Sequence, residues 1–245
     1  MNSPTLIVVL AHPDDEVLCA GTLLTQRAAG SRVVILWLTR GEMTDSLGSL
    51  DKEEVAERRL ELGLQATELL GVEARWLSLP DSGVEATPEA ARKVAEVIAE
   101  VKPEGLITWG DAWTRGFRHP DHQTTGKIAR DAVNLARIAG VVTPEAPHRE
   151  FCPIFTLRDV HSTLPSIALD VSEHVDRIFE VAEHYRRAIG FGAREWLEGR
   201  LRSAGARWGR SLVEEFDSWE SDGGLVKQLL PHRQGLFHHH PDRDI

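Results

Sequence analysis

LIVVLAHPDDE, from Leu6 to Glu16, is an apolar run that stops at a histidine, a proline and three consecutive acids. Three of the five residues from Leu6 to Leu10 are β-branched and none is polar, which predicts a strand covered on both faces. In open α/β sheets, sites lie outside the carboxyl ends of strands, so His12, Asp14, Asp15 and Glu16 are expected on such a rim. The acids would also suit the positive end of a following helix. A helix start needs no imidazole, however, whereas a histidine beside two carboxylates supplies donor types that zinc accepts. Three adjacent acids repel one another, and a cation would relieve that repulsion.

A second cluster stands at Arg118 to Gln123, RHPDHQ. Pro120 suits the first position of a helix, which puts His119 at its cap and His122 in its first turn, both imidazoles toward one side. The preceding EGLITW, Glu104 to Trp109, reads as a strand, so this cluster also follows a strand end. Two clusters on one rim can share one metal.

Between them the chain alternates. A helix is expected over Glu16 to Gly30, with Gly21 allowing close packing, then a strand over Val33 to Leu38. Arg40 follows that strand onto the rim, free either to bind sugar hydroxyls or a phosphate, or to pair with Glu42 or Asp45. Met43 to Leu50 has the small, polar character of a loop. A helix from about Lys52 to Leu70 ends at Gly71, a strand covers Arg75 to Leu79, and Asp81 falls just beyond it in PDSG, either orienting Arg40 or a substrate or serving the turn. Thr87, Pro88 and Glu89 open another helix to about Val101. The βα alternation predicts an α/β fold: a Rossmann-like parallel sheet flanked by helices on both faces. The loop Gly110 to Arg118 carries Trp113, Arg115 and Phe117, whose rings could stack on a pyranose or pack on a neighbouring loop.

Beyond Ala139 the pattern weakens to strands near Ile154 to Leu157 and Ser166 to Val171 and helices over Glu173 to Arg187 and Ala193 to Arg210. A smaller C-terminal α/β subregion is expected there, from about residue 141 to 245, attached to a core of about 1–140 in a single domain. His184 reads as structural, and the arginines of the last helix as a solvated face.

The 245-residue chain is 42% hydrophobic and 27% charged, ordinary globular values. Its net charge of −10 argues against nucleic acid or an anionic membrane as the main partner, without excluding a neutral sugar. Cys19 and Cys152 lack metal-type spacing, so reduced thiols are expected. The opening MNSPTLIVVLAH has no basic n-region and reaches acids after a short apolar run, which predicts neither a signal peptide nor a membrane span but a cytoplasmic protein. His238 to His240 form a short histidine tract with no assigned role.

AHPDDE at Ala11 to Glu16, paired with HPDH at His119 to His122, resembles the PIG-L/LmbE family of zinc-dependent N-deacetylases. LTRGE at Leu38 to Glu42, the helical ERRLELGLQATELLGV at Glu57 to Val72 and LPD at Leu79 to Asp81 extend the resemblance, which runs from about residue 5 to about residue 190 and is firm over the first 125 positions. It implies His12, Asp15 and His122 as ligands of Zn²⁺ or another divalent transition metal, and Asp14 as general base. It further implies His119 as stabiliser of the oxyanion and Asp121 as the group that orients His119. Arg40, Trp113 and Arg115 become candidates for substrate binding, and an acetylated amino-sugar conjugate becomes the expected substrate. Some family members carry a tyrosine where Phe117 stands, and a phenyl ring cannot donate a hydrogen bond there. Relatives are often dimers or hexamers, so a homo-oligomer is an open expectation.

Two other classes stay open. Adjacent aspartates after a first strand could hold Mg²⁺ in a phosphotransfer or receiver-type domain, although three imidazoles favour a transition metal. A non-catalytic carbohydrate-binding protein could also use this scaffold.

Overall fold

Every residue of β1 (Thr5–Leu10) is buried, and its side chains divide between two separate apolar cores. Leu6, Val8 and Leu10 enter one, Ile7 and Val9 the other. Successive strand residues point to opposite faces, so an unbroken apolar run is what a strand between two helical layers requires. Each such side chain contributes on the order of 1.5–3 kcal/mol of burial. The computed structural model describes residues 3–231, except 117 and 221.

The chain continues through a 3-10 turn (Asp15–Leu18), α1 (Ala20–Ala28), β2 (Arg32–Trp37), α2 (Lys52–Leu70), β3 (Glu73–Trp76), α3 (Pro88–Val101) and β4 (Gly105–Trp109). After a second 3-10 turn (Asp111–Thr114) come α4 (Pro120–Leu135), α5 (Ala139–Val142), β5 (Ile154–Leu157), β6 (Ser166–Asp170), α6 (Val175–Ile189), α7 (Arg194–Trp208), β7 (Val213–Ser218) and β8 (Gly224–Val226). One sheet holds all of these strands in the order β3-β2-β1-β4-β5-β7-β6-β8. The first four run parallel, as expected, and β5, expected in the C-terminal subregion, adds a fifth parallel strand beside β4. The C-terminal subregion is joined to them through the sheet itself: β7 pairs antiparallel with both β5 and β6, and β8 lies parallel to β6. The result is an α/β fold with a mixed sheet between two helical layers. Buried residues of α1, α2, α6 and α7 fill one core with Trp37, Trp109 and Phe216, while α3 and α4 close the other. No described helix is long and apolar enough to cross a membrane.

Local signals explain most boundaries. Asp51 caps α2 through a capping box with Glu54, and Gly71 ends it in the left-handed conformation. Thr87 caps α3 with Pro88 in its first turn. Only Val72 separates Gly71 from β3, so this strand starts earlier than Arg75; its ladder continues through Leu77 and Leu79, whose N–H groups donate to the carbonyls of Trp37 and Leu38 at 2.8 and 3.0 Å.

The single helix expected over Glu16 to Gly30 is instead broken at Cys19 (φ −136°, ψ 16°). Two carboxylates account for the break. Glu16 turns inward to hydrogen-bond within the core, and Glu214 of β7 accepts the Gly21 and Thr22 N–H groups at 2.9 and 2.7 Å, capping α1 from across the fold. Gly21 does pack closely, since a Cβ there would stand 2.6 Å from Val171. Gly126 is tighter still: its Cβ would stand 2.3 Å from the Trp109 carbonyl oxygen, where α4 crosses the end of β4. Backbone cannot yield as a flexible side chain does, so Gly126→Ala should cost about 1–3 kcal/mol and lower the melting temperature by several degrees. An unchanged melting curve would show that α4 can move off β4.

Candidate active site

The parallel strands deliver their carboxyl ends to one rim, and the order reverses between β1 and β4, with β2 and β3 on one side and β5 on the other. Loops leaving a reversal point must part, and a cleft opens between them. His12, Asp14 and Asp15 follow β1, Gly41, Met43 and Thr44 follow β2, Asp81 and Ser82 follow β3, and His119 and His122 stand at the start of α4 beyond β4. Together with Arg59, Ile189 and Phe191 they line an open cleft of ≈ 270 Å³. Its volume suits an acyl-amine group and part of its carrier.

His12, only 7% exposed, is the centre of the charge distribution. Its Nε2 lies 3.1 Å from Asp81 Oδ1 and 3.2 Å from Asp121 Oδ2, and its Nδ1 is 3.7 Å from Asp15 Oδ2. Burial opposes a charge on His12, but hydrogen bonding to Asp121, Asp15 and Asp81 outweighs it and raises its pKa well above the usual imidazole value. Asp15 accepts the Ala11 and His12 N–H groups at 3.0 and 2.9 Å through Oδ2, while Oδ1 lies 3.1 Å from His122 Nε2. Burial would raise Asp15, yet the charge of His122 and the hydrogen bond to His12 carry it far below the ordinary carboxylate range.

Asp14 is handled differently. Arg59, on the buried stripe of α2, donates from Nη2 to Asp14 Oδ2 at 2.8 Å. Burial raises the Asp14 pKa, with the Arg59 charge opposing. The neighbouring Glu16 is fully buried, and burial pushes it up to about 7. Asp81 takes the Met43 N–H at 2.8 Å, and contact with His12 holds its carboxyl down at about 2 against the effect of burial.

His119 caps α4 as its place before Pro120 implies, with Nδ1 accepting the Asp121 N–H at 3.3 Å. A neutral ring with an accepting Nδ1 carries its proton on Nε2. Burial, then the charges of His12 and His122, lowers the His119 pKa. The Asp121 carboxylate faces His12 and accepts the Ser82 and Val84 N–H groups at 2.7 and 3.2 Å; its link to His119 runs through its backbone. His122 stacks on Trp109 at 3.7 Å between centroids and 8° between planes.

Among the described residues, two groups could hold a metal ion: His12, His119 and His122, and His12, Asp81, His119 and Asp121, each with one donor atom per residue within 4.8 Å of the others. Asp15 belongs to neither group, although it touches His122 directly. His122 Nδ1 is buried with no hydrogen-bond partner among the described residues.

Three rim residues singled out by the sequence do not line the cleft. Arg40 is engaged by Glu53, at 2.8 Å from Nη2 to Oε2, because the first turn of α2 comes back to the end of β2. Trp113 donates its indole N–H to the Leu157 carbonyl at 2.8 Å and packs edge-on against Trp109, thus supporting the ring on which His122 stacks. Arg115 lines an adjacent cavity of ≈ 200 Å³ with Asp111, His161 and Trp219. Phe117 and His238 to His240 lie outside the described residues. His184 lies with its Nε2 2.9 Å from the Leu62 carbonyl oxygen, a structural contact. Arg59 and Asp81 are site residues that the sequence reading set aside or overlooked. For Arg59 a signal existed: it falls on the apolar stripe of α2 with Val55, Leu62 and Ala66, where a charge needs a partner.

Comparison with known proteins follows the same outline. The chain is 33% identical over 136 residues to a diacetylchitobiose deacetylase of Thermococcus kodakarensis, covering 54% of this chain and 49% of that one. It is 30% identical over 195 residues to a 1D-myo-inositol 2-acetamido-2-deoxy-alpha-D-glucopyranoside deacetylase of Kineococcus radiotolerans, covering 59% and 54%. The chain thus spans about half the length of the curated relatives it matches. In fold it superposes on the N,N'-diacetylchitobiose deacetylase of Pyrococcus horikoshii with a TM-score of 0.79 at 21% identity, covering 89% of this chain and 84% of that one. The family profile described as GlcNAc-PI de-N-acetylase, PIG-L, matches residues 7–133, and that stretch, just over half of the sequence, holds all the histidines and aspartates of the cleft. The chain belongs to the PIG-L family.

Proposed function

We propose that the protein is a zinc-dependent hydrolase that removes the acetyl group from the amide nitrogen of an N-acetylglucosamine-type conjugate. The observation that carries this reading is the division of labour among adjacent acids: Asp15 contacts His122, whereas Asp14, in the same cleft, is held by Arg59. One acid is thereby available to a cation and the next to a proton. The two curated relatives are named for substrates that both carry an acetylated glucosamine, which supports the substrate class.

His12, Asp15 and His122 would hold the metal. Two imidazoles and a carboxylate are a donor set that zinc accepts while leaving coordination open, and His122 Nε2 and Asp15 Oδ1 already face one another at 3.1 Å, with the His122 ring held by its stack on Trp109. When bound, zinc lowers the pKa of water to about 7 and polarises a carbonyl oxygen.

The chain's own residues supply the rest. Asp14, raised by burial and fixed by Arg59, takes the proton of the attacking water and returns it to the departing amine. His119 presents its Nε2–H to the negative charge that develops on the carbonyl oxygen, a donor oriented by its capping bond. This differs from an imidazolium oriented by the Asp121 side chain, because that carboxylate serves His12 and the β3 loop. Arg59 Nε and Nη1 are buried without partners among the described residues, so Arg59 serves Asp14 rather than the substrate; Asp81 and Ser82, which line the cleft, suit the hydroxyls of a sugar ring. Three imidazoles in the cleft favour a transition metal over the Mg²⁺ of a phosphotransfer domain.

Acetate release should be measured on a panel of N-acetylglucosamine conjugates, with chelator-stripped protein and zinc add-back in parallel. Release is expected to vanish on stripping and to return with zinc. Silence from zinc-loaded protein across amide substrates would favour a binding role on the same scaffold.

The site residues separate in a second experiment. His12→Ala or His122→Ala is expected to bring metal content well below one ion per chain. Asp14→Asn is expected to keep the metal and lose about 10²–10⁴-fold in turnover. Full activity in Asp14→Asn would remove Asp14 from the role of base.

A further inference from the structure

Asp14 has φ 135° and ψ −20°, a conformation that residues with a side chain rarely adopt. Such backbone persists only where its surroundings over-determine it. On the side-chain side, Arg59 grips Oδ2. On the main-chain side, the Asp14 N–H donates to Glu16 Oε2 at 3.1 Å.

Glu16 is in turn fixed from the core. Trp37 Nε1–H donates to the same oxygen, Oε2, at 3.1 Å, and the Tyr185 hydroxyl donates to Oε1. Glu16 and Tyr185 are both fully buried, and neither lines the cleft on its substrate side. Tyr185 is the single tyrosine of the chain and sits on α6, beyond the stretch matched by the family profile. With both other donors on Oε2, the Tyr185 hydroxyl is what sets the rotation of the carboxylate about its own axis.

We propose that Tyr185 and Glu16 are a positioning pair that holds the Asp14 main chain in its strained conformation and so keeps the Asp14 carboxylate at the cleft. The consequence for turnover rests on the reading of Asp14 as the base; the consequence for the backbone does not. A misplacement of about 1 Å at a reacting group can cost a hundredfold in rate, so a lost hydrogen bond two residues from the base is enough to matter.

The test uses the full chain with Tyr185→Phe, which removes one oxygen and keeps the ring. Hydrogen exchange of the Asp14 amide, followed by NMR, is expected to speed up about tenfold or more while metal content stays at the wild-type level. With N,N'-diacetylchitobiose or another N-acetylglucosamine conjugate that the wild type hydrolyses, kcat should fall about tenfold or more, with KM within about twofold. Made in an Asp14→Asn background, the same substitution should cost almost nothing further, because the residue it acts through is already disabled. Glu16→Leu, which removes both acceptor oxygens at similar volume, should loosen the same amide and serves if Tyr185→Phe does not fold. An Asp14 amide as protected in both variants as in the wild type would overturn the pair. So would an equal loss of kcat with and without the Asp14 carboxylate, which would mark Tyr185 as a general core residue. Should Asp14→Asn prove fully active, the base assignment fails, and the amide exchange still decides the positioning pair.

Discussion

Parallel strands joined by right-handed crossovers all end on the same rim, and a sheet that grows first to one side and then to the other must part its loops where it changes direction. That constraint governs this molecule. β1 is laid down first, β2 and β3 extend one flank, and β4 returns to the other, so the loops after β1 and β4 face each other across a gap. His12, Asp14 and Asp15 occupy one wall, His119 and His122 the other. The site needs no special device to bring its residues together over more than a hundred positions; the order of the strands does it.

The chemistry of the cleft then follows from crowding. Asp15, Asp81 and Asp121 all lie against His12 in a place where water screens poorly, an arrangement that would be unfavourable for carboxylates alone. Positive charge at His12 relieves it, and a divalent cation would relieve it further. Asp14 lies outside this cluster, paired with Arg59, and the same burial that depresses none of its neighbours raises its proton affinity. Adjacent residues of one motif therefore acquire opposite proton affinities, Asp15 from its contacts with His122 and His12, and Asp14 from burial against the opposing charge of Arg59.

Much of this was legible in the sequence because it is local. Period and composition identify β1, a proline fixes the start of α4, and His119 and His122 follow from it by counting. What failed to read is what depends on distant partners. Arg40 sits at a strand end like a ligand-binding residue, yet nothing nearby in sequence tells that Glu53 will reach it across the intervening loop. Asp81 looks like an ordinary turn acid until His12, far back in the chain, lies 3.1 Å away. Trp113 stands beside the site in sequence and supports it from behind. The mixed sheet was hidden for the same reason: the acidic stretch of β7 did not read as a strand, and both its place and its direction are set by its pairing with β5 and β6. The break at Cys19 was invisible because its cause, Glu214, comes almost two hundred residues later.

Glu214 has a bearing on how the molecule comes into being. The loop from Asp14 to Thr22 is specified near the start of the chain, but the carboxylate that caps α1 belongs to β7, the last long strand of the sheet. During synthesis, which proceeds from the amino end at about 5–20 residues per second, the first strands can pair while that carboxylate has yet to be made. The earliest residues of the site are thus among the last to be completed. For about 5–20 seconds on the ribosome, the nascent chain carries all of the cleft's histidines and aspartates without the strand that caps α1 behind them.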